Sequence, residues 1–386
     1  MLKHVSLLAA LLHAAFATAA VESAFDLTTQ VEYEDNPQLL ADDQAESVWR
    51  NVTTPRYRIS RSEDSWTLAF AGDLRVQRSS NDQLSFDRED PTASLAINRQ
   101  SAAGELSMTV GFAQASTRIT EFEDSNLLFR DGTRETLSAN LEWSGILSAV
   151  SSYDLALSAE DVTFEDSPLV DFRNQTSSLS YRRAVSELVG FSMVARATRF
   201  DPQTSDTTVA GNNIVDQEIL YAGIGLNYQL SERWSSQVNA GLVDVTFDNL
   251  SQPVSGSDIN PTFNDTNGNW NVDGSLSFKD ETSTWSVAAG RQTNASGLGR
   301  AITATSFSGS ADFQVSEKSR LGANLGWRKN RDVIDNESLT ALLSWARTIS
   351  QNWSWQVSYQ YREQNGINKA DSNSVVMSLV YRGDSF

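Results

Sequence analysis

The chain has 386 residues, a formal charge of −19 and no cysteine, which excludes a disulfide framework and leaves no concentrated basic face for nucleic acid. Its only two histidines, His4 and His13, fall within the first 20 residues. Everything after residue 20 therefore lacks the side chains for Ser-His or Cys-His nucleophile chemistry, the usual zinc sites and His- or Cys-ligated haem.

Residues 1–20 read as a secretory signal: Lys3, an apolar run from Val5 to Phe16, then the small-residue site Ala17-Thr18-Ala19. The run is short for a membrane span and has no stop-transfer flank. Cleavage near Ala19 or Ala20 would leave residues 21–386, with a charge of about −20. No linker or compositional break divides that stretch, so a single long domain is expected. After residue 20 nothing approaches the roughly 18 consecutive apolar residues of a helical span.

Phe25, Leu27, Thr29, Val31 and Tyr33 alternate with Asp26, Thr28, Gln30, Glu32 and Glu34; period 2 predicts a strand with an acidic second face. Asn36-Pro37 ends it and an acidic loop runs through Glu46. A weaker strand over Val48–Ile59 follows. The turn Ser62-Glu63-Asp64 then leads to Trp66, Leu68, Phe70, Leu74 and Val76. The same alternation recurs in segments of about ten residues, the length of a membrane-crossing strand. Short connections such as Ser101–Gly104, Ser231–Arg233 and Ser350–Asn352 alternate with long ones such as Ser79–Asp90, Thr120–Gly132, Asp201–Asp216 and Asn249–Asp265.

The clearest unit is Ser338–Arg362. Leu339, Ala341, Leu343 and Trp345 form one apolar face; after Ser350-Gln351-Asn352, the residues Trp353, Trp355, Val357, Tyr359 and Tyr361 form the next. Trp66, Trp143, Trp234, Trp285, Trp345, Trp353 and Trp355 all lie beside short turns, as an aromatic girdle at a membrane interface would. A soluble sandwich also alternates, but its strands average five or six residues and rarely carry such aromatic ends. The fold expected is an all-β antiparallel transmembrane β-barrel of about 18 strands, with 16 as the alternative count, short periplasmic turns and longer external loops.

Val31-Glu32-Tyr33-Glu34-Asp35-Asn36-Pro37 and the turns Leu230-Ser231-Glu232-Arg233-Trp234-Ser235, Val315-Ser316-Glu317-Lys318 and Ile349-Ser350-Gln351-Asn352-Trp353 resemble the β-barrel porin type 2 family. The resemblance implies an outer-membrane barrel associated with exopolysaccharide or exosortase loci, a passive conduit or assembly component, and no catalytic residues. Phe386 is similar to the terminal aromatic recognised by barrel assembly machinery, although it is out of phase with Val375, Met377, Leu379 and Tyr381. Either Gly383 permits a bulge or Gly383–Phe386 is a short tail.

Opposite the lipid face, the strand phase predicts Glu32, Asp73, Arg75, Glu142, Arg196, Asp273, Asp312, Arg328 and Arg362 as lumen-lining, where charge sets selectivity; the bland alternative is solvated or structurally paired residues. Asn264-Asp265-Thr266-Asn267-Gly268-Asn269 lacks the closing Glu of a calcium loop and reads as a polar turn. Acid pairs such as Glu121/Glu123 and Glu160/Asp161 are adjacent in sequence, which does not place two carboxyls across a cleft. The expected function is a porin-like channel in the cell outer membrane, without cofactor or metal, with outer-membrane lipid, assembly machinery, and polysaccharide or small solutes as partners. The alternative is a structural or interaction barrel with acidic surface loops and no transport role.

Overall fold

The computed structural model describes residues 21–41, 43–125, 131–167, 169–203, 216–247, 270–296, 300–330, 336–366 and 369–383. Residues 1–20, read above as a signal, Asn264–Asn269 and Phe386 lie outside them.

Eighteen strands form one sheet: β1 (Val21–Glu34), β2 (Val48–Glu63), β3 (Trp66–Ser79), β4 (Arg88–Ser101), β5 (Gly104–Ser116), β6 (Thr133–Ser148), β7 (Ser151–Glu165), β8 (Phe172–Ala184), β9 (Val189–Pro202), β10 (Gln217–Gln229), β11 (Trp234–Phe247), β12 (Trp270–Lys279), β13 (Ser283–Ser296), β14 (Arg300–Ser316), β15 (Ser319–Asn330), β16 (Asn336–Thr348), β17 (Trp353–Asn365) and β18 (Lys369–Arg382). Each strand pairs antiparallel with the next, and β18 closes on β1 through registers such as Leu27↔Tyr381 and Val31↔Met377. Closure removes the unpaired edge that an open sheet of this size would present.

Outward residues of these ladders are the bulky apolar ones. Val31, Ile97, Leu137, Leu179, Ile224, Leu242, Leu343 and Met377 are all exposed, a pattern that costs free energy in water and stabilises a barrel in lipid. Inward residues are mainly charged, hydroxylated or small. Among the described residues, buried apolar contact is confined to small clusters, chiefly Val162, Phe172 and Phe200 with Phe164 packed against them. Pro55 has no N–H to give, and the β2–β3 ladder is broken at Thr54 and Pro55 before resuming at Arg56↔Asp73.

Two predicted boundaries shift. The strand read over Val48–Ile59 continues to Glu63, because Ser60, Arg61 and Ser62 still pair with Ala69, Leu68 and Thr67. The segment read as a loop over Thr120–Gly132 begins with a helix, α1 (Thr117–Ser125). At the C-terminus β18 runs to Arg382, opposite Asp26, without a register shift, and the Gly383 amide donates to the Phe25 carbonyl at 2.7 Å. The ladder thus continues without a bulge through Gly383, and the remainder of the segment read as a tail lies outside the described residues.

Candidate functional site

The connection between β5 and β6 packs its described ends against the inner wall. Thr117 and Gly132 tie its two ends: the Thr117 amide donates to the Gly132 carbonyl at 3.1 Å, and the Gly132 amide to Thr117 Oγ1 at 2.9 Å. A side chain at Gly132 would meet the Glu165 carbonyl oxygen at 2.8 Å, so this close approach requires glycine. From the first turn of α1, Arg118 donates to Glu34 Oε2 at 3.1 Å and to the Pro37 carbonyl at 3.3 Å. At the other end Asp131 accepts from Arg88 Nη1 at 3.1 Å, from the Phe86 amide at 3.0 Å and from Ser116. Its two described ends, residues 117–125 and 131–132, are thus fastened to the inner wall near the long-loop rim, and are called the strap below.

Glu34 is the hub. Its side chain is 0% exposed and accepts from Arg50, Arg118, Arg362 and Ser372, which joins β1, β2, α1, β17 and β18 at the closing seam. A carboxylate excluded from water is tolerated only when charge and hydrogen bonds surround it. Around the hub, Arg50 also donates to Glu32 Oε1 at 2.6 Å, Arg75 to Asp90 at 3.3 Å, Arg88 to Asp90 at 2.7 Å and Arg134 to Glu121 and Glu160 at 3.3 Å each. Arg118 stands on α1, outside the spanning strands, and burial pushes its guanidinium down to about 10, with neighbouring Arg50 acting in the same direction.

Beside the strap a cavity of about 1110 Å³ remains, walled mainly by β6 to β13. Acids Glu105, Glu142, Asp154, Glu160 and Asp273 and bases Arg134, Arg182, Arg196 and Arg328 line it together with Ser, Thr, Asn and Gln side chains, and two of the acids are already paired there, Glu160 with Arg134 and Asp154 with Arg182. Asp273 accepts from Asn239 Nδ2 at 2.7 Å. Tyr221 lies flat along the wall, and Arg196 sits over its ring at 5.8 Å. The floor beneath that ring is glycine. A Cβ at Gly223 would fall on Tyr221 Oη, and one at Gly241 would meet the ring at 2.5 Å.

The nine residues read as lumen-lining divide among four places. Glu142, Arg196, Asp273 and Arg328 line this cavity. Glu32, Arg75 and Arg362 belong to the ion-pair network under the strap. Asp73 pairs with Arg56 at 3.2 Å in a smaller recess, and Asp312 stands opposite Gly322 on β15. The structure does not bring all nine together. It adds Glu34, Arg50, Arg88, Asp90, Arg118, Asp131 and Arg134, of which Glu34 lies on the acidic face read as inward in the first strand. The strap residues carry no periodic signal. Of the acid pairs, Glu160 turns to Arg134 while Asp161 pairs with Arg173 on the outward face, 2.6 Å away.

At the short-turn end Trp234 packs edge-on against Trp285 at 4.6 Å, Trp345 against Trp355 at 4.8 Å, and Trp353 lies 5.0 Å from Tyr381. Trp143 meets Tyr153 at 5.5 Å, and Trp66 donates to Glu63 at 3.0 Å.

Compared with sequence families and with curated proteins, the chain finds no match. Among solved structures it is similar to the outer membrane protein OpdK of Pseudomonas aeruginosa, with a TM-score of 0.52 and 11% identity over 95% of this chain and 99% of that one. OccK9 (OpdG) of the same organism gives 0.51 and 11% over 94% and 98%, and OpdQ gives 0.51 and 8% over 95% and 99%. The fold is that of an 18-stranded outer-membrane barrel. At such identity the likeness extends to the fold alone, and the chemistry of the inner surface follows from this chain's own residues.

Proposed function

We propose that the chain is an integral outer-membrane channel, exported with removal of residues 1–20, inserted by the barrel assembly machinery, and passing small polar solutes through the cavity beside the strap. The observation that carries this reading is the mixed-charge, hydroxyl-rich cavity of about 1110 Å³ inside a closed barrel. At about 30 Å³ per water it holds a few tens of water molecules, and charged walls in a water-filled bore select by field as well as by size. Glu142, Arg196, Asp273 and Arg328 are the selectivity residues in this proposal, and the tryptophans at the short turns mark the periplasmic interface. Export of polysaccharide, implied by the sequence resemblance, would use the same passage; it rests on the resemblance alone. Conductance in planar bilayers and uptake of neutral sugars of graded size into proteoliposomes test both.

A structural barrel with acidic loops and no transport role is the second reading. The dense network fastening α1 favours it, since the same contacts would serve to close a bore. It requires a barrel with neither conductance nor solute uptake.

A further inference from the structure

On the outward face, β8 to β12 leave an apolar groove of about 800 Å³. Its shape follows from register. Leu179 pairs with Ala195, Ala195 with Ala222 and Ala222 with Leu242, so two alanines lie side by side between leucines. In the next row Ile224 stands between Met193 and Ala240. The trough therefore runs past Ala195, Ala222 and Ala240.

At its long-loop end the groove changes character. Trp270, at the start of β12 opposite Leu242, is exposed. Arg291, opposite Val272 on β13, holds its guanidinium 4.7 Å from the Trp270 ring. An indole at that height belongs at a polar–apolar boundary, and a guanidinium stacked on a ring directs its in-plane N–H groups edge-on, the geometry that meets a phosphate.

An apolar trough ending in a stacked arginine is complementary to a ligand with an acyl chain and a phosphate. We propose that this groove seats one acyl chain of a phosphorylated glycolipid of the outer leaflet, with a phosphate on Arg291. The proposal rests on the outer-membrane reading above, which places the long-loop end outside.

Native mass spectrometry of the purified full chain with added lipid A tests it. The wild-type barrel is expected to retain lipid A at a stoichiometry of one. Arg291→Ala should weaken retention at least tenfold, Arg291→Lys should restore part of it, and Ala222→Trp, which fills the trough, should abolish it. Heat-modifiable migration and unchanged conductance report that the variants remain folded. Equal retention by wild type and Arg291→Ala overturns the proposal, as does equal retention of a zwitterionic phospholipid or a retained mass that is a second copy of the chain. If wild type shows neither heat-modifiability nor membrane insertion, it is the outer-membrane reading that fails.

Discussion

Arg118 on α1 reaches Glu34 on β1, 84 positions away in sequence, and donates to it at 3.1 Å with both side chains almost wholly excluded from water. This contact fastens the strap to the seam where the barrel closes. Removing either partner has a different consequence, because Glu34 serves two further arginines and Arg118 serves one carboxylate and one carbonyl.

Glu34→Gln leaves Arg50, Arg118 and Arg362 without their shared carboxylate. Loss of one partner in a buried pair costs about 3–5 kcal/mol. Urea unfolding in lipid vesicles should show destabilisation of that order. Arg118→Ala should cost less and should act on the strap. Larger or noisier single-channel steps are the expected signature, with barrel stability close to wild type.

The charge of Arg118 also sets a pH window. Its pKa is depressed to about 10, so between that value and the higher one of an exposed guanidinium the unfolded chain binds the proton more strongly than the folded one, and the burial cost it imposes falls as pH rises through 10. Below that range it remains charged in both states. Conductance of the wild type should be flat from pH 6 to 8 as far as the strap is concerned, and fluctuations should increase above pH 10, where the ion pair to Glu34 is lost. Single-channel recording over that range checks the sign.

Gly241 and Gly223 let Tyr221 lie against the wall. A methyl group at Gly241 would meet the ring at 2.5 Å and the Ala222 carbonyl at 2.5 Å. Gly241→Ala is expected to push Tyr221 into the cavity and reduce conductance. Tyr221→Ala in the same background removes the ring clash but leaves the one with the Ala222 carbonyl, so conductance should recover in part, and the recovered share measures obstruction by the ring.

Asp273 and Arg196 contribute opposite charges to one stretch of the lining. Asp273→Asn should shift the reversal potential in a salt gradient towards anions, and Arg196→Gln towards cations. Both shifts should shrink as ionic strength rises, because a water-filled bore is screened within about 10 Å at 0.1 M salt.

Much of the barrel is legible in the sequence because period 2 reports directly which face of a strand meets apolar surroundings. The run Trp353, Trp355, Val357, Tyr359 and Tyr361 carries both strand and phase. Thr117–Ser125 carries neither, since its helix is held by tertiary ion pairs rather than by an alternating face. Inward phase is also insufficient to sort the lumen. Glu32 and Glu142 look alike in sequence, yet one joins a network under the strap and the other faces the cavity. Which of the two a residue does depends on its height in the barrel and on what the strap brings beside it.

Conduction through the cavity beside the strap is the property on which the functional reading stands. Purified full-length protein in planar bilayers, in symmetric salt, should give discrete current steps, and a salt gradient should show ion selectivity that changes in Asp273→Asn and Arg196→Gln. A correctly folded, inserted barrel that gives no steps and admits no sugar into proteoliposomes would contradict it.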